Sequence, residues 1–412
     1  MENDSMLPAE QKKLGETSKA KMVEHPVSTQ GQSKNKNMVK IIRTVLSVII
    51  LGVLFGFLMN KATVFLTPTI RKQMVFQRFV MLKMFLAAVG VSMLSVAILE
   101  LVRKSLYGKV LVDDIEYNCR RGIIHYIAGG SLIGLGMVIC GSCPGTIFVQ
   151  VGSGIFNSLF TCLGALLGTF FYYIVIHDRI TKERLPSTSP VFRRLSDILH
   201  TPSVVLHSIF GLVFLGAAIG LEFFVPWRSD LDYYFRDRSF MNPDSMIGSV
   251  FRMAAWPPSL CGAGVGLLQL FFILLLEMTL GASSAFSVLA AQVCRIKSIG
   301  RALPSLSSLS SGLENYTIFL FGVAAIGGSA LSSTLSHTIP LGPENGTNVL
   351  ASVLGGFLLF IGARCAGGCT SGQGISGTTH LLLGSLLTTA CIFGSGIVFG
   401  YCILWSKTEW FF

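Results

Sequence analysis

The sequence predicts an all-α, polytopic membrane protein with about nine spans, short re-entrant or half-helices, and two inverted-topology repeats. The first observation is compositional: 51% of the residues are hydrophobic, 13% are charged, and the mean hydropathy is +0.65. That balance excludes an ordinary soluble domain. The second observation is a set of apolar runs near the roughly 20 residues that cross a bilayer. The third is a motif rich in glycine and cysteine that occurs twice.

Nine apolar runs account for the predicted spans, and they lie at 44–60, 79–101, 123–143, 158–176, 204–225, 260–282, 314–336, 348–366 and 380–404. Two further apolar pieces, about 146–157 and 283–293, are too short to cross a bilayer. We therefore expect half-helices or re-entrant segments there. Such segments are tolerated only where protein or water covers their free backbone groups.

The formal net charge of +11 indicates membrane topology rather than nucleic-acid binding, because the basic residues lie in the N-terminal segment and in loops. By the positive-inside rule, the N-terminus and the basic loops at 103–121, 179–194 and 295–301 face the cytosol, and 226–258 lies outside. We expect a multi-pass protein of the cell membrane. Residues 1–40 are polar and lysine-rich, which predicts a disordered tail.

The repeated motif surrounds Cys143 and then Cys369, which lie 369 − 143 = 226 positions apart. The same offset matches four glycines of the first copy to four of the second, namely Gly129, Gly130, Gly136 and Gly141 to Gly355, Gly356, Gly362 and Gly367. Glycines let the backbone leave the helix where it lines a cavity, so a duplicated break is typical of a two-fold transporter site. The alternative is that these glycines and cysteines only pack helices together.

The offset divides the membrane part into a first repeat, 41–178, and a second repeat, 260–405. The segment between them, 179–259, holds one additional span at 204–225. An odd span between the halves makes the second half enter the membrane from the opposite side. The repeats are therefore expected to be inverted, with the two breaks meeting near the midplane.

Cys140 and Cys143 form a C-x-x-C, a motif that leaves two alternative functions open, namely a thiol-redox membrane enzyme and a metal-ion transporter. The sequence has no second C-x-x-C, since Cys365 and Cys369 are four apart, and it has no phosphate-binding loop of the P-loop type. We expect no cofactor and no enzyme activity. A lipid-handling or structural membrane protein is the remaining alternative, and it predicts no loss of anion flux when the cysteines change.

At Gly141–Thr146 and Gly362–Gly377 the chain resembles the YeeE/YedE family of sulfur-transport membrane proteins, whose best-understood members take up thiosulfate. The resemblance covers roughly 40–405. It implies that Cys143 and Cys369 line the path of thiosulfate or a related small sulfur-containing anion, and it leaves room for a sulfur-accepting cytosolic partner. Two departures from the family are the absence of a cysteine in 61–66 and the presence of Gln373 where histidine is common.

For such an anion the motif residues supply suitable chemistry. A thiol is a soft contact and a weak donor, so cysteines can pass a sulfur along without holding it tightly. Half-helix N-termini offer free N–H groups to replace lost water. The residues expected to contribute, besides the two equivalent cysteines, are Cys140, Cys365, Pro144, Gly145, Thr146, Gly367, Gly368, Thr370 and Ser371.

Two motif side chains carry open alternatives. Arg364 is a charge within a predicted span, where it either attracts the anion, pairs with Glu277, or reaches the cytosolic interface. Gln373 either donates its amide to the substrate or caps the backbone. The remaining cysteines on unbroken apolar runs, Cys162, Cys391 and Cys402, are expected to be packing residues.

Overall fold

The computed structural model describes residues 29–118, 121–181, 194–232, 235, 250–339, 341 and 346–406. The chain divides into two compact units, Met1–Arg43 and Thr44–Phe412. Of the first unit, only the beginning of one helix is described, so most of the predicted tail at 1–40 lies outside the described residues. Much of the basic loop at 179–194 and of the predicted outer loop at 226–258 also lies outside them.

The first half of the chain forms helices interrupted by short breaks. Their bounds are α1 Thr29–Lys61, α2 Thr67–Met74, α3 Val80–Val102, α4 Lys104–Asn118, α5 Ile123–Cys140, α6 Pro144–Gly152 and α7 Ser158–Phe171, which continues as a π-helix Tyr172–Ile176 and α8 His177–Thr181. The connecting segment forms α9 Leu195–Ile198, α10 Ser203–Phe224 and α11 Trp227–Asp230.

The second half repeats this order of long and short helices. Its α-helices are α12 Pro258–Leu276, α13 Ser284–Ala291, α14 Lys297–Ala302, α15 Pro304–Ser307, α16 Leu313–Leu335, α17 Val349–Cys365 and α18 Leu383–Trp405. Two short 3₁₀ helices lie at Gln292–Arg295 and Ser308–Ser310, and a π-helix, here called the second π-helix, covers Thr370–Gly377.

Within the described residues, eight helices are long and apolar enough to cross a membrane, and nine if the bent pair of α17 and the second π-helix counts as one span. The prediction of an all-α polytopic membrane protein is therefore confirmed. The two short apolar pieces appear as α6 and α13, close to their predicted positions. The sequence analysis did not predict α2, whose polar sequence has no apolar run and which begins with Pro68 in its first turn, where a missing N–H costs nothing.

The glycines of the duplicated motif form the contact between α5 and α17. A Cβ on Gly129 would lie 2.8 Å from Gly362 O, and a Cβ on Gly136 would lie 2.8 Å from Gly355 O. Only glycine permits so close an approach of two backbones. Because the contacts move down α17 as they move up α5, the two equivalent helices run antiparallel, which is the relation that inverted repeats require.

The remaining long helices exchange partners between the halves in a matching way. On α1, a Cβ on Gly56 would lie 1.9 Å from Ala325 O of α16, and on α12 a Cβ on Gly262 would lie 2.1 Å from Met84 O of α3. In the same manner α7 packs on α17, and α18 packs on α5. The long helices of each half therefore pack against those of the other half, and the breaks of both halves lie within the same helical bundle.

Buried amides tie the ends of the broken helices to their neighbours. Asn60, near the end of α1, donates to Ser153 Oγ just after α6 (2.8 Å) and to Ser329 Oγ of α16 (3.1 Å). In the second half Gln269 of α12 accepts from Ser376 Oγ in the second π-helix (3.0 Å). A buried polar group must find such a partner, so these bonds determine the position of the short helices.

Candidate functional site

The first break begins where α5 ends. Gly141 has φ +60°, a left-handed conformation, and its N–H donates to Met137 O (2.8 Å). A Cβ at this position would lie 2.1 Å from Thr67 Cγ2, so both the conformation and the space require glycine. Two residues later Cys143 becomes the N-cap of α6, and its N–H donates to Thr146 Oγ1 (2.7 Å).

Two side chains hold the first break in place. Gln150 donates to Phe65 O (2.7 Å) and accepts from Ser142 Oγ (2.6 Å). Arg71 of α2 donates from Nε to Val138 O (2.9 Å) and from Nη2 to Ile139 O (2.5 Å) and Thr347 Oγ1 (2.7 Å). These carbonyls lack partners within α5 because the helix stops, so a buried guanidinium satisfies them.

The second break has the same plan with different geometry. After α17 ends at Cys365, Gly367 adopts φ +77°, and Cys369 becomes the N-cap of the second π-helix. Gln373 donates to Ala366 O across the break (2.8 Å) and accepts from Ser385 Oγ. Of the two roles predicted for Gln373, this geometry supports the backbone-capping one.

A cavity lies between the two breaks. It encloses about 480 Å³ of empty space, its open mouth included, and it is lined by Phe55, Met59, Val64, Met81, Met84, Phe85, Cys143, Gly145, Thr146, Thr370, Ser371 and Ile375. Five of the predicted site residues therefore meet around one cavity, although the two motifs are 226 positions apart in sequence.

Cys369 lies directly behind the cavity wall. Its side chain is fully buried, and its Sγ lies 3.1 Å from Ser371 Oγ, which in turn accepts from Ala282 N–H (3.2 Å). The two equivalent cysteines therefore occupy equivalent cap positions, but only Cys143 faces the cavity. Ser371, which lines the cavity, contacts the Cys369 thiol.

The other predicted residues support the breaks rather than line the cavity. Cys140 donates to Gly136 O (3.0 Å), and its backbone packs against Gly355. Cys365 packs in an apolar cluster with Tyr172 and Ile361. Pro144 occupies the first turn of α6, and Gly368 gives room for the side chain of Gln373.

Arg364 is buried, with 4% of its surface exposed, and its Nη2 donates to Ser283 Oγ (2.5 Å). The polar partner found for Arg364 among the described residues is therefore Ser283 rather than the predicted Glu277. The Glu277 carboxylate lies instead beside the exposed Lys109, and this hydrogen bond raises the pKa of Lys109.

Several residues of the site were missed by the sequence analysis. The apolar lining, which includes three methionines, carries no signal that distinguishes it from any membrane-buried surface. Arg71 and Gln150 could have been found, because charged and amide side chains near apolar runs are rare and usually have a specific partner. Ser283 could not have been found, since serine is common in membrane helices.

The cavity offers hydrogen-bond donors to an anion, although none of its described lining residues is charged. The N–H groups of Gly145 and Thr146 on one side, and of Thr370 and Ser371 on the other, belong to first helical turns, whose donors have no intrahelical acceptor. The positive ends of both helix dipoles point to the same place. Within the described residues, no group of three His, Cys, Asp or Glu side chains could hold a metal ion.

Comparison with known proteins identifies the family of the chain. No curated protein matches the chain. A family model described as sulphur transport matches residues 61–399, which includes both breaks and every residue of the cavity lining except Phe55 and Met59. The chain therefore belongs to the sulphur transport family, known also as YeeE/YedE, and is a multi-pass membrane transporter of sulfur compounds.

Proposed function

We propose that the protein takes up thiosulfate, or a closely related small sulfur-containing anion, through the cavity between the two breaks. One observation carries this proposal: Cys143, Gly145 and Thr146 of the first break line the same cavity as Thr370 and Ser371 of the second. Two helix N-termini that meet at one cavity form a site for a compact anion.

The polar groups of the cavity lining suit transport of an anion rather than its tight binding. Removing water from a dianion is expensive, so a site must offer aimed donors, and the first-turn N–H groups and hydroxyls do so. None of the described lining residues carries a full charge. The anion is therefore held by dipoles and hydroxyls, weakly enough to leave again, as permeation requires.

The sulfur end of thiosulfate meets soft partners in this cavity. Cys143 and the thioethers of Met59, Met81 and Met84 line it, and polarizable sulfur atoms suit one another. We infer that the anion contacts Cys143 first and Cys369 next, after Ser371 moves aside. The resulting transporter is not an enzyme, acts without a cofactor, and delivers its substrate to the cytosol, where an accepting protein can take it.

The same sulfur-rich lining favours one second candidate, a transporter of Cu(I). Three thioethers and one thiol are the ligands that this soft ion prefers. A metal transporter has no need for two convergent helix N-termini, which repel a cation.

The deciding experiment is uptake of ³⁵S-labelled thiosulfate into proteoliposomes that contain the purified protein, with sulfate, sulfite and Cu(I) measured in parallel. We expect thiosulfate flux that the Cys143→Ala, Cys369→Ala double variant loses. Cys402→Ala is the matched control, because Cys402 is exposed at the end of α18. Normal uptake by the double variant would make the thiols packing residues, and copper flux without anion flux would establish the second candidate.

We also propose that the protein lies in the cell membrane with a cytosolic N-terminus. Single cysteines introduced at positions 182 and 232, in a background without Cys402, should react with an impermeant thiol reagent from opposite sides. Reaction of both from one side would contradict the inverted arrangement of the repeats.

A further inference from the structure

Two buried arginines lie beyond the second break, outside the cavity lining. Arg364 of α17 and Arg121, just before α5, are 4% and 9% exposed. A Cβ on Gly367 would lie 2.9 Å from Arg121 Nε, so Arg121 packs against the loop of the second break, three residues after Arg364. Tyr173 and Cys365 lie within electrostatic reach of both guanidinium groups, which brings the two arginines into one region.

Each guanidinium keeps one buried donor for which the described residues supply no acceptor. The Nε atoms of both Arg121 and Arg364 are buried and find no hydrogen-bond partner in the described part of the chain. The other nitrogens have partners: Arg121 donates from Nη1 to Tyr117 O (2.9 Å) and Asn118 Oδ1 (3.4 Å) and lies over the Tyr117 ring, and Arg364 donates from Nη2 to Ser283 Oγ (2.5 Å). A buried cation with an unused donor is costly, and a retained cost of this kind indicates a missing ligand.

The acidic surroundings do not neutralise this pair. Asp114 of α4 lies close enough to feel the charge of Arg121, yet burial raises the pKa of its carboxyl to about 6 while the charge of Arg121 acts in the opposite direction. Set against two guanidinium groups, one carboxylate leaves the region with a net positive charge.

A chain of polar contacts joins this region to the cavity. The Ser283 hydroxyl that accepts from Arg364 is also within hydrogen-bonding reach of the Cys369 thiol. Cys369 in turn contacts Ser371, which lines the cavity. From the cavity the order is therefore Ser371, Cys369, Ser283 and Arg364, with Arg121 beyond the break. Arg121 lies just before α5, at the end of the basic loop 103–121 that is predicted to face the cytosol.

We propose that Arg121 and Arg364 form a second anion site, which binds a small divalent oxyanion on the cytosolic side of Cys369. This inference rests on the proposed function, because the site is where the transported anion would pause before release. Two arginine donors at fixed positions suit the oxygen atoms of a sulfate-like group. The central cavity attracts the sulfur end of the anion, and this site attracts the oxygen end.

Equilibrium binding of ³⁵S-sulfate and ³⁵S-thiosulfate to the purified full-length protein tests this site without any need for transport. We expect Arg121→Gln and Arg364→Gln each to weaken binding of both anions about tenfold or more, since each removes a charge-assisted donor. The matched control is Arg295→Gln, because Arg295 is an exposed arginine on the same predicted side whose Nη2 donates to Tyr316 OH.

Arg121→Lys provides the second variant, because it keeps the charge and removes the Nε donor. We expect sulfate affinity between those of the wild type and Arg121→Gln. Wild-type sulfate affinity in folded Arg121→Gln or Arg121→Lys protein would overturn the proposal. If both Gln variants lose sulfate binding while the wild-type protein shows no thiosulfate flux, the second anion site is supported and thiosulfate is excluded as the transported substrate.

Discussion

The two helix breaks share one plan, but they use their arginines in opposite ways. At the first break Arg71 reaches from the short helix α2 to the carbonyls of Val138 and Ile139 on α5. At the second break Arg364 lies on the broken helix α17 itself, at the position equivalent to Val138, and reaches Ser283 at the start of the short helix α13. At each break, therefore, a guanidinium joins the broken helix to a short helix.

The two guanidinium groups differ in how their hydrogen-bond donors are used. Arg71 donates to two carbonyls and the Thr347 hydroxyl, so it locks the first break. Arg364 retains a buried Nε without a partner in the described residues. The first break continues into the regular α-helix α6, and the second into a π-helix bent by 40° from α17. π-Helical turns are common at functional sites, which supports the second anion site proposed above at this break.

The largest effects should come from the cap cysteines. Cys143→Ala should raise the half-saturating thiosulfate concentration, because Cys143 faces the cavity. Cys369→Ala should lower the maximal uptake rate with little change in half-saturation, because Cys369 lies behind Ser371. Concentration-dependent uptake in proteoliposomes measures both quantities. The same kinetic defect in the two variants would mean that the cysteines act at one step and that the two breaks do not differ in this way.

Replacing the two arginines should separate a structural role from a binding role. Arg71→Gln leaves two buried carbonyls without their donor and should cost about 3 kcal/mol of stability. Arg364→Gln should cost about 1 kcal/mol, because glutamine can still donate to Ser283. Thermal unfolding of the purified variants gives the comparison. Equal losses would show that Arg364 is as structural as Arg71.

The left-handed glycines of the two breaks, Gly141 and Gly367, provide a third comparison. Gly141→Ala should destabilise by about 2 kcal/mol, from the left-handed conformation and the 2.1 Å approach to Thr67 Cγ2. The added change Thr67→Ser removes that methyl group and should restore about 1 kcal/mol. Gly367→Ala, whose Cβ would lie 2.3 Å from Asn118 Oδ1, should show no such rescue by Thr67→Ser. If stability does not recover in the double variant, the contact with Thr67 is not the cause of the stability lost in Gly141→Ala.

The smallest effect is expected at Cys391. This residue packs against Gly130, as Ala165 packs against Gly356 at the equivalent contact of the other half. Because alanine already fills the equivalent place, Cys391→Ala should cost on the order of 1 kcal/mol or less and leave thiosulfate uptake intact. Thermal unfolding measures the change in stability, and the proteoliposome assay measures thiosulfate uptake. A strong loss of uptake would give Cys391 a role that its packing does not explain.

Much of the architecture was predictable because the membrane imposes it. Apolar runs of sufficient length must be helices, so the spans and the short pieces near α6 and α13 were located within a few residues. The cap positions of Cys143 and Cys369 followed from the glycine register and from Pro144. The polar helix α2 was missed, since its stability comes from burial between other helices rather than from its own composition.

The sequence by itself determined the helical membrane class and the two equivalent breaks, because hydropathy and residue size act locally and the motif repeats at a constant offset. Only the tertiary structure decided which cysteine faces the cavity, which arginine is satisfied, and that Ser283 joins Arg364 to Cys369. Those features depend on side-chain direction and on partners far away in the chain. A hydrogen bond across 81 positions, such as that from Arg364 to Ser283, leaves no local pattern to read.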